Sequence, residues 1–338
     1  MIVVLKPNTT EEELNAVVQE IKNLKYEPHI LRGVELNVIA AIGDERTHHT
    51  LETLTVFPQV ERVMPVQSRY KLVKRQVHPA NSVIQVDHRV PIGGKKFQVM
   101  AGPCSVENEK QLLTTALAVK KAGATILRGG AFKPRTSPYE FQGLGQEGLK
   151  LLAKAKQETG LAVITELLSE QHAELVAEYA DILQIGTRNA QNFQLLIAAA
   201  KTGRPVLLKR GLSMRIEEWL LAGEYVIANG NPNLLFCERG IRTFETYTRN
   251  TLDLSAIPII QQESHCPIVI DPSQGAGRAD LVMAMCKGAV AMGADALLIE
   301  VHPNPAEAWS DGAQQITLDG FARLMQELKP FIAVAGRE

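Results

Sequence analysis

From residue 97 to the C-terminus the chain repeats one unit eight times, a short apolar run followed by an amphipathic helical stretch. The apolar runs are 97–101, 125–128, 162–165, 182–185, 206–208, 234–236, 268–270 and 297–299. Helical spacing of apolar residues recurs between them, as over 148–158, 171–179, 192–201 and 280–292. Eight strands alternating with helices over about 240 residues predict a (β/α)8 TIM barrel spanning 97–338. A doubly wound open sheet is the structural alternative, but eight regular repeats, with no GxGxxG after the first strand, favour closure.

Residues 1–66 read as a separate unit. An apolar strand at 2–5 is followed by Thr9 and Thr10 before Glu11, Glu12 and Glu13, which is how a helix starts, with acidic residues in its first turn. Leu14, Val17, Val18, Ile21 and Leu24 then recur at helical spacing. Strands at 29–31 and 36–42, a short helix at 50–54 and a strand at 60–66 complete the order βαββαβ, which predicts a small ferredoxin-like α+β domain. Such domains bind small ligands, pair with copies of themselves, or do neither, and the pattern does not choose. His29, polar within an apolar strand, is expected to be a structural surface residue. Residues 67–96 read as a linker and hairpin, with strands at 82–87 and 89–92 and a turn signal at Gly93-Gly94.

Composition excludes several classes. The 338 residues carry 36 Lys and Arg against 37 Asp and Glu, so no overall charge draws the chain to nucleic acid or anionic lipid. A 45% hydrophobic, 22% charged composition is that of a globular protein with a large core. Charges interrupt every apolar stretch well before the ~20 residues of a membrane span. The apolar start Met1-Ile2-Val3-Val4-Leu5 is too short for a signal peptide and lacks a basic leader. Cys104, Cys237, Cys266 and Cys286 show no CxxC pairing, which predicts a reducing, cytoplasmic setting.

Barrel active sites lie at the C-terminal ends of the strands, and here every strand end carries a charged or metal-capable residue. In strand order these are Cys104; Arg128, Lys133 and Arg135; Glu166; Arg188; Lys209 and Arg210; Glu238 and Arg239; Asp271; and Glu300 with His302, with Asp311 in the loop beyond. Arg128, Lys133, Arg135, Arg188, Lys209, Arg210 and Arg239 around one mouth predict a strongly anionic substrate, with more than one phosphate or carboxylate. Arg210 is assigned to a framework ion pair, while Glu166 and Glu238 stay open between framework and site. Cys104, Glu300 and Asp311, from the ends of the first and last strands, form a thiolate and two carboxylates able to bind a divalent transition metal. Cys237, Cys266 and Cys286 are expected to pack in the core.

The strings that carry this chemistry resemble 3-deoxy-D-arabino-heptulosonate 7-phosphate (DAHP) synthases, in the short microbial form with an N-terminal ferredoxin-like regulatory domain. They are Ala101-Gly102-Pro103-Cys104-Ser105, the run from Leu127 to Pro138, Leu207-Leu208-Lys209-Arg210-Gly211, Cys237-Glu238-Arg239-Gly240 and Glu300-Val301-His302-Pro303. Lys133-Pro134-Arg135-Thr136 also separates the chain from the related 3-deoxy-octulosonate 8-phosphate synthases, which read Lys-Ala-Asn-Arg there. The resemblance implies a transferase of aromatic amino-acid biosynthesis. Its reaction, the first of the shikimate pathway, condenses phosphoenolpyruvate with erythrose 4-phosphate and releases phosphate. It assigns Arg128, Lys133, Arg188, Lys209 and Arg239 to phosphoenolpyruvate, and Arg135 and Thr136 to the phosphate end of erythrose 4-phosphate. Lys133 becomes the proton donor to the aldehyde oxygen. The resemblance further implies a homotetramer with tyrosine or phenylalanine as effector, while the balanced charge and short apolar runs predict no nucleic-acid or membrane partner.

One departure stands out. The family's metal set is Cys, His, Glu and Asp, with the His in an Asp-Pro-Ser-His string, whereas this chain reads Asp271-Pro272-Ser273-Gln274. The expected ligand set is therefore Cys104, Gln274, Glu300 and Asp311. An amide oxygen in place of imidazole favours manganese, with iron, zinc and cobalt as alternatives. Two other functions follow from the same residues: a related phosphoenolpyruvate–sugar-phosphate synthase, or a homologue impaired in turnover by Gln274 and kept for regulation.

Overall fold

The computed structural model describes residues 1–32, 37–42, 51–64, 69–76, 78–87 and 89–338. They form two compact units, Met1–Arg69 and Tyr70–Glu338.

The first unit runs β1 (Ile2–Leu5), α1 (Glu11–Asn23), β2 (Glu27–Arg32), β3 (Asn37–Ile42), a 3-10 turn (Leu51–Val56) and β4 (Val60–Met64). Its antiparallel sheet has the order β2-β3-β1-β4. Helix α1 begins where the sequence predicts, because Thr10 and Glu13 satisfy each other's backbone N–H groups in a capping box. Leu14, Val17 and Ile21 on its inner face pack with Val3, Leu5, Ile39, Leu51 and Leu54. The second helical segment is 3-10 rather than α. Only six residues long and carrying the β-branched Thr53, Thr55 and Val56, it cannot sustain α geometry. Leu36, Thr50 and residues 65–66, expected to begin or end elements, lie outside the described residues. His29 pairs with Ala40 across the sheet, and its imidazole is 52% exposed beside Glu27.

The second unit opens with a hairpin shorter than expected, β5 (Ile84–Gln85) and β6 (Pro91–Ile92). Its turn lies between Asp87 and Arg89, where the two expected strands leave it, and the chain bends again at Gly93-Gly94, with Gly93 at φ 99°. The Asp87 carboxylate accepts from the backbone N–H groups of Arg89 and Val90, and Val86 N donates to Val90 O, so the chain reverses before Pro91. Ile84, Val86, Val90 and Ile92 join Met100, Ile126, Ile164, Leu207, Leu235, Val269 and Leu298 in one apolar cluster. Gln98 donates to Pro91 O, which sets the hairpin across the end of the barrel where the strands begin.

The barrel itself runs β7 (Gln98–Gly102), α2 (Glu109–Ala122), β8 (Ile126–Arg128), α3 (Gln146–Thr159), β9 (Ala162–Leu167), α4 (Ala173–Tyr179), β10 (Ile182–Ile185) and α5 (Phe193–Lys201). It continues through β11 (Val206–Lys209), α6 (Ile216–Ala228), β12 (Leu234–Glu238), α7 (Ala256–Glu263), β13 (Ile268–Ile270), the short α8 (Pro272–Ala276), α9 (Ala279–Ala291), β14 (Ala296–Glu300) and α10 (Leu318–Val334). All eight strands are parallel, and β14 pairs with β7 to close the barrel. Several strands outrun their expected ends because the ladder continues through their charged residues. Glu166 pairs with Gln184, Lys209 with Cys237, and Glu300 with Gly102. Those charges therefore stand on rigid strand backbone rather than on loops. No helix among the described residues is long and apolar enough to cross a membrane.

Candidate active site

The close packing of β7 against β8 sets the centre of the mouth. A Cβ at Gly102 would collide with the carbonyl oxygen of Arg128, so only glycine lets the two strand ends meet. Pro103 O then accepts from Arg128 Nη1 at 2.8 Å, and the same nitrogen donates to Glu300 Oε1 at 3.0 Å. Cys104 follows at once, fully buried. Its backbone N–H donates to Gln315 Oε1 and its thiol to Asp311 Oδ2 at 3.4 Å. Lys133, from the loop after β8, reaches back to donate to Cys104 Sγ.

Ligand atoms of Cys104, Glu300 and Asp311 lie within 4.8 Å of one another. A sulfur and two carboxylates at that spacing fit a divalent ion. Burial and the neighbouring Glu300 charge push the Cys104 thiol up to about 12, against the nearby Lys133 and Arg128 charges. Burial pushes Asp311 the other way from its neighbours. Arg249, Lys133 and hydrogen bonds from Gln274 and Cys104 outweigh it and hold the carboxyl down at about 2. Asp311 also sits at φ 48°, a left-handed conformation in which Asp is among the more tolerant residues.

Gln274 comes to this cluster on α8. Its amide oxygen accepts from Arg239 Nη2 at 2.7 Å. Its amide nitrogen is what faces the carboxylates, donating to Glu300 Oε1 at 3.1 Å and Asp311 Oδ2 at 3.2 Å.

Beside the cluster opens a cavity of about 330 Å³ lined by Lys133, Arg135, Thr136, Arg188, Lys209 and Arg239, all of them singled out in the sequence. Arg188 Nη2 donates to Thr136 Oγ1 at 3.3 Å, and Arg135 Nη2 pairs with Glu140 at 2.6 Å. Lys209 pairs with Asp271 at 2.6 Å, both nearly buried. Among the described residues, two guanidinium nitrogens, Arg128 Nε and Arg239 Nη1, are buried without a hydrogen-bond partner, as is Thr187 Oγ1. Burial alone would strip charge from Arg128, yet Glu300 outweighs it and keeps its pKa above the ordinary value. Buried cationic donors with no acceptor await an anion.

Arg210 is framework, as expected. Its Nη1 bridges Glu238 and Asp253 at 3.1 and 2.8 Å, which also settles Glu238 as framework. Glu166 goes the other way. Its carboxylate, over Gly186 on the cavity wall, makes no ion pair or hydrogen bond among the described residues. Cys237, Cys266 and Cys286 are buried. His302 pairs with Glu107 at 3.2 Å, and Glu107 also accepts from Trp309 N, tying the loop that bears Asp311 to the loop after β7. Arg249 was missed by sequence reasoning. It donates to Asp311 Oδ1 and Gln314 Oε1, but lies eleven residues past Glu238, where a search of strand ends does not reach. Gln314, which donates to Glu300 Oε2 at 2.7 Å, was missed for the same reason.

Comparison with known proteins agrees with this geometry. The model of the DAHP synthetase I family matches residues 81–333, and that of the DAHP synthase ferredoxin-like domain matches residues 1–68. The chain is 49% identical over 336 residues to the phospho-2-dehydro-3-deoxyheptonate aldolase of Thermotoga maritima, covering 99% of each. The crystal structure of the Thermotoga maritima DAHP synthase superposes with a TM-score of 0.90 at 48% identity, covering all of this chain and 98% of the other. A 2-dehydro-3-deoxyphosphooctonate aldolase of Caulobacter vibrioides is 31% identical, over 75% of this chain and 96% of its own. With one family model over the barrel and its companion over the N-terminal unit, this chain belongs to the DAHP synthetase I family.

Proposed function

We infer that the chain condenses phosphoenolpyruvate with erythrose 4-phosphate, giving a seven-carbon keto acid phosphate and inorganic phosphate, at the entry to aromatic biosynthesis. The observation that carries this reading is the pair of buried guanidinium nitrogens of Arg128 and Arg239 that have no partner among the described residues; Arg239 lines the mouth with Lys133, Arg188 and Lys209, and Arg128 lines a smaller recess with Lys133 and Glu166. Phosphoenolpyruvate brings a phosphate and a carboxylate to those donors. Arg135 and Thr136 take the phosphate end of the aldose.

C3 of phosphoenolpyruvate attacks the aldehyde carbon, and Lys133 gives the aldehyde oxygen its proton. Water then adds at C2, and phosphate leaves by C–O cleavage. Glu166, on the cavity wall and unpaired among the described residues, is the base this reading assigns to that water. A divalent ion held by Cys104, Glu300 and Asp311 would supply Lewis-acid polarisation of the aldehyde, and manganese suits a set dominated by oxygen. The reading sets the enzyme in the cytoplasm, as a homotetramer whose ferredoxin-like unit takes tyrosine or phenylalanine as feedback effector. The four free cysteines and the presence of that unit support it.

Replacing Arg188 or Lys209 by Ala tests the cage. Each removes a charge-assisted contact of about 1.5–3 kcal/mol, so the KM for phosphoenolpyruvate rises about tenfold or more. An unchanged KM in both variants removes them from the site.

A further inference from the structure

The residue at 274 does something other than replace a missing imidazole. Its backbone is pinned on both sides: its N–H donates to the Asp271 carboxylate at 2.9 Å, and its carbonyl accepts from Asn250 Nδ2 at 2.9 Å. The next residue, Gly275, is packed so tightly on Leu252 that a Cβ would fall 2.7 Å from its Cδ1. The side chain therefore leaves the helix from a fixed point and chooses only which way its amide faces.

The neighbours make that choice. On one side stands Arg239, which has donors and no acceptor; on the other stand Glu300 and Asp311, which offer acceptors. With oxygen toward Arg239 and nitrogen toward the carboxylates, all three hydrogen bonds form. With the amide turned over, its N–H groups meet a guanidinium and its oxygen meets two carboxylates, and all three are lost. An oxygen ligand for an ion between Glu300 and Asp311 requires that second orientation. The amide can serve Arg239 or the ion, not both.

We propose that Gln274 is a positioning strap rather than a metal ligand: it fixes the Arg239 guanidinium for the phosphoenolpyruvate anion and spans the Glu300–Asp311 pair, leaving an ion to Cys104, Glu300 and Asp311 alone. The strap rests on the function proposed above. Arg239 Nη1 has no partner among the described residues, so Gln274 Oε1 is the acceptor that orients the fork from its other nitrogen. The same amide links the anion cage to the carboxylates through one side chain, a link that an imidazole bound to an ion through one nitrogen would not make through an oxygen acceptor.

The test uses Gln274→Met, which keeps the length of the side chain and removes both halves of the amide, with Gln274→Ala as a second variant and the thermal midpoint as a check of folding. Mn(II) is titrated by the electron paramagnetic resonance of the free ion. Phosphoenolpyruvate is titrated by calorimetry on chelated protein, and Cys104→Ser marks what loss of a true ligand does. The strap predicts that Mn(II) affinity stays within about threefold of wild type while the Kd for phosphoenolpyruvate rises about tenfold, the size of one charge-assisted contact. Mn(II) affinity falling tenfold or more, as in Cys104→Ser, makes Gln274 a ligand and overturns the strap. So does an unchanged phosphoenolpyruvate Kd. Wild-type protein that binds no phosphoenolpyruvate at all counts against the proposed function itself. Because neither titration needs turnover, the two failures are told apart.

Discussion

Lys133 Nζ lies 3.2 Å from Cys104 Sγ and 3.1 Å from the Cys104 carbonyl oxygen, which joins the loop after β8 to the three-residue cluster at the ends of β7 and β14. Burial works against the ammonium charge, but Cys104 and Glu166 outweigh it and hold the Lys133 pKa above its usual value. The residue assigned to protonate the aldehyde therefore meets its substrate carrying the proton.

Lys133→Ala should lower kcat about 100-fold or more, the usual range for loss of a positioned acid. Lys133→Arg should not restore it, since a guanidinium keeps its charge but does not give up its proton. Steady-state phosphate release measures both. A Lys133→Arg enzyme with wild-type kcat would show that only the charge matters.

A second prediction concerns pH and stability. His265 Nε2–H donates to Leu72 O at 2.9 Å, so its Nδ1 is the acceptor for the Ser82 hydroxyl at 2.7 Å, and the neutral ring is satisfied. Burial first, then the nearby His78 and Arg75, hold its pKa below 6.5, against the Leu72 bond and the more distant Glu224. The unfolded chain thus binds the proton more readily. The contribution is fully present above pH 6.5 and is lost as pH falls below it. Urea midpoints should drop between about pH 7.5 and about pH 5.5, and His265→Gln should flatten that fall. An identical slope in the variant assigns the effect to other groups.

The barrel was legible because its repeat is long and regular, and the cation cage because Arg and Lys sat at successive strand ends. What sequence could not show was where the strands stop. Lys209, Glu238 and Glu300 look like loop residues, yet their backbone continues the ladder, so charge alone misplaces a strand end that neighbouring strands decide. Arg249 and Gln314 reach the carboxylates from loops whose course depends on tertiary packing. The orientation of the Gln274 amide was equally hidden, because residue identity records a donor and an acceptor but not which neighbour each meets.

The regulatory assignment makes a third prediction. Deleting residues 1–66 should leave condensation intact and abolish inhibition by tyrosine or phenylalanine, read as an inhibition curve for each amino acid on both proteins. A full-length enzyme indifferent to every aromatic amino acid would leave the N-terminal unit without that role.

The central claim is tested most directly by following phosphate release from phosphoenolpyruvate by the purified full-length chain with Mn(II), with and without erythrose 4-phosphate. Release should require erythrose 4-phosphate, match the product mole for mole, and be weak or absent with a five-carbon aldose phosphate, since the proposed function assigns Arg135 and Thr136 to the phosphate of the shorter sugar. Release that ignores erythrose 4-phosphate, or that prefers the five-carbon aldose phosphate, would contradict it.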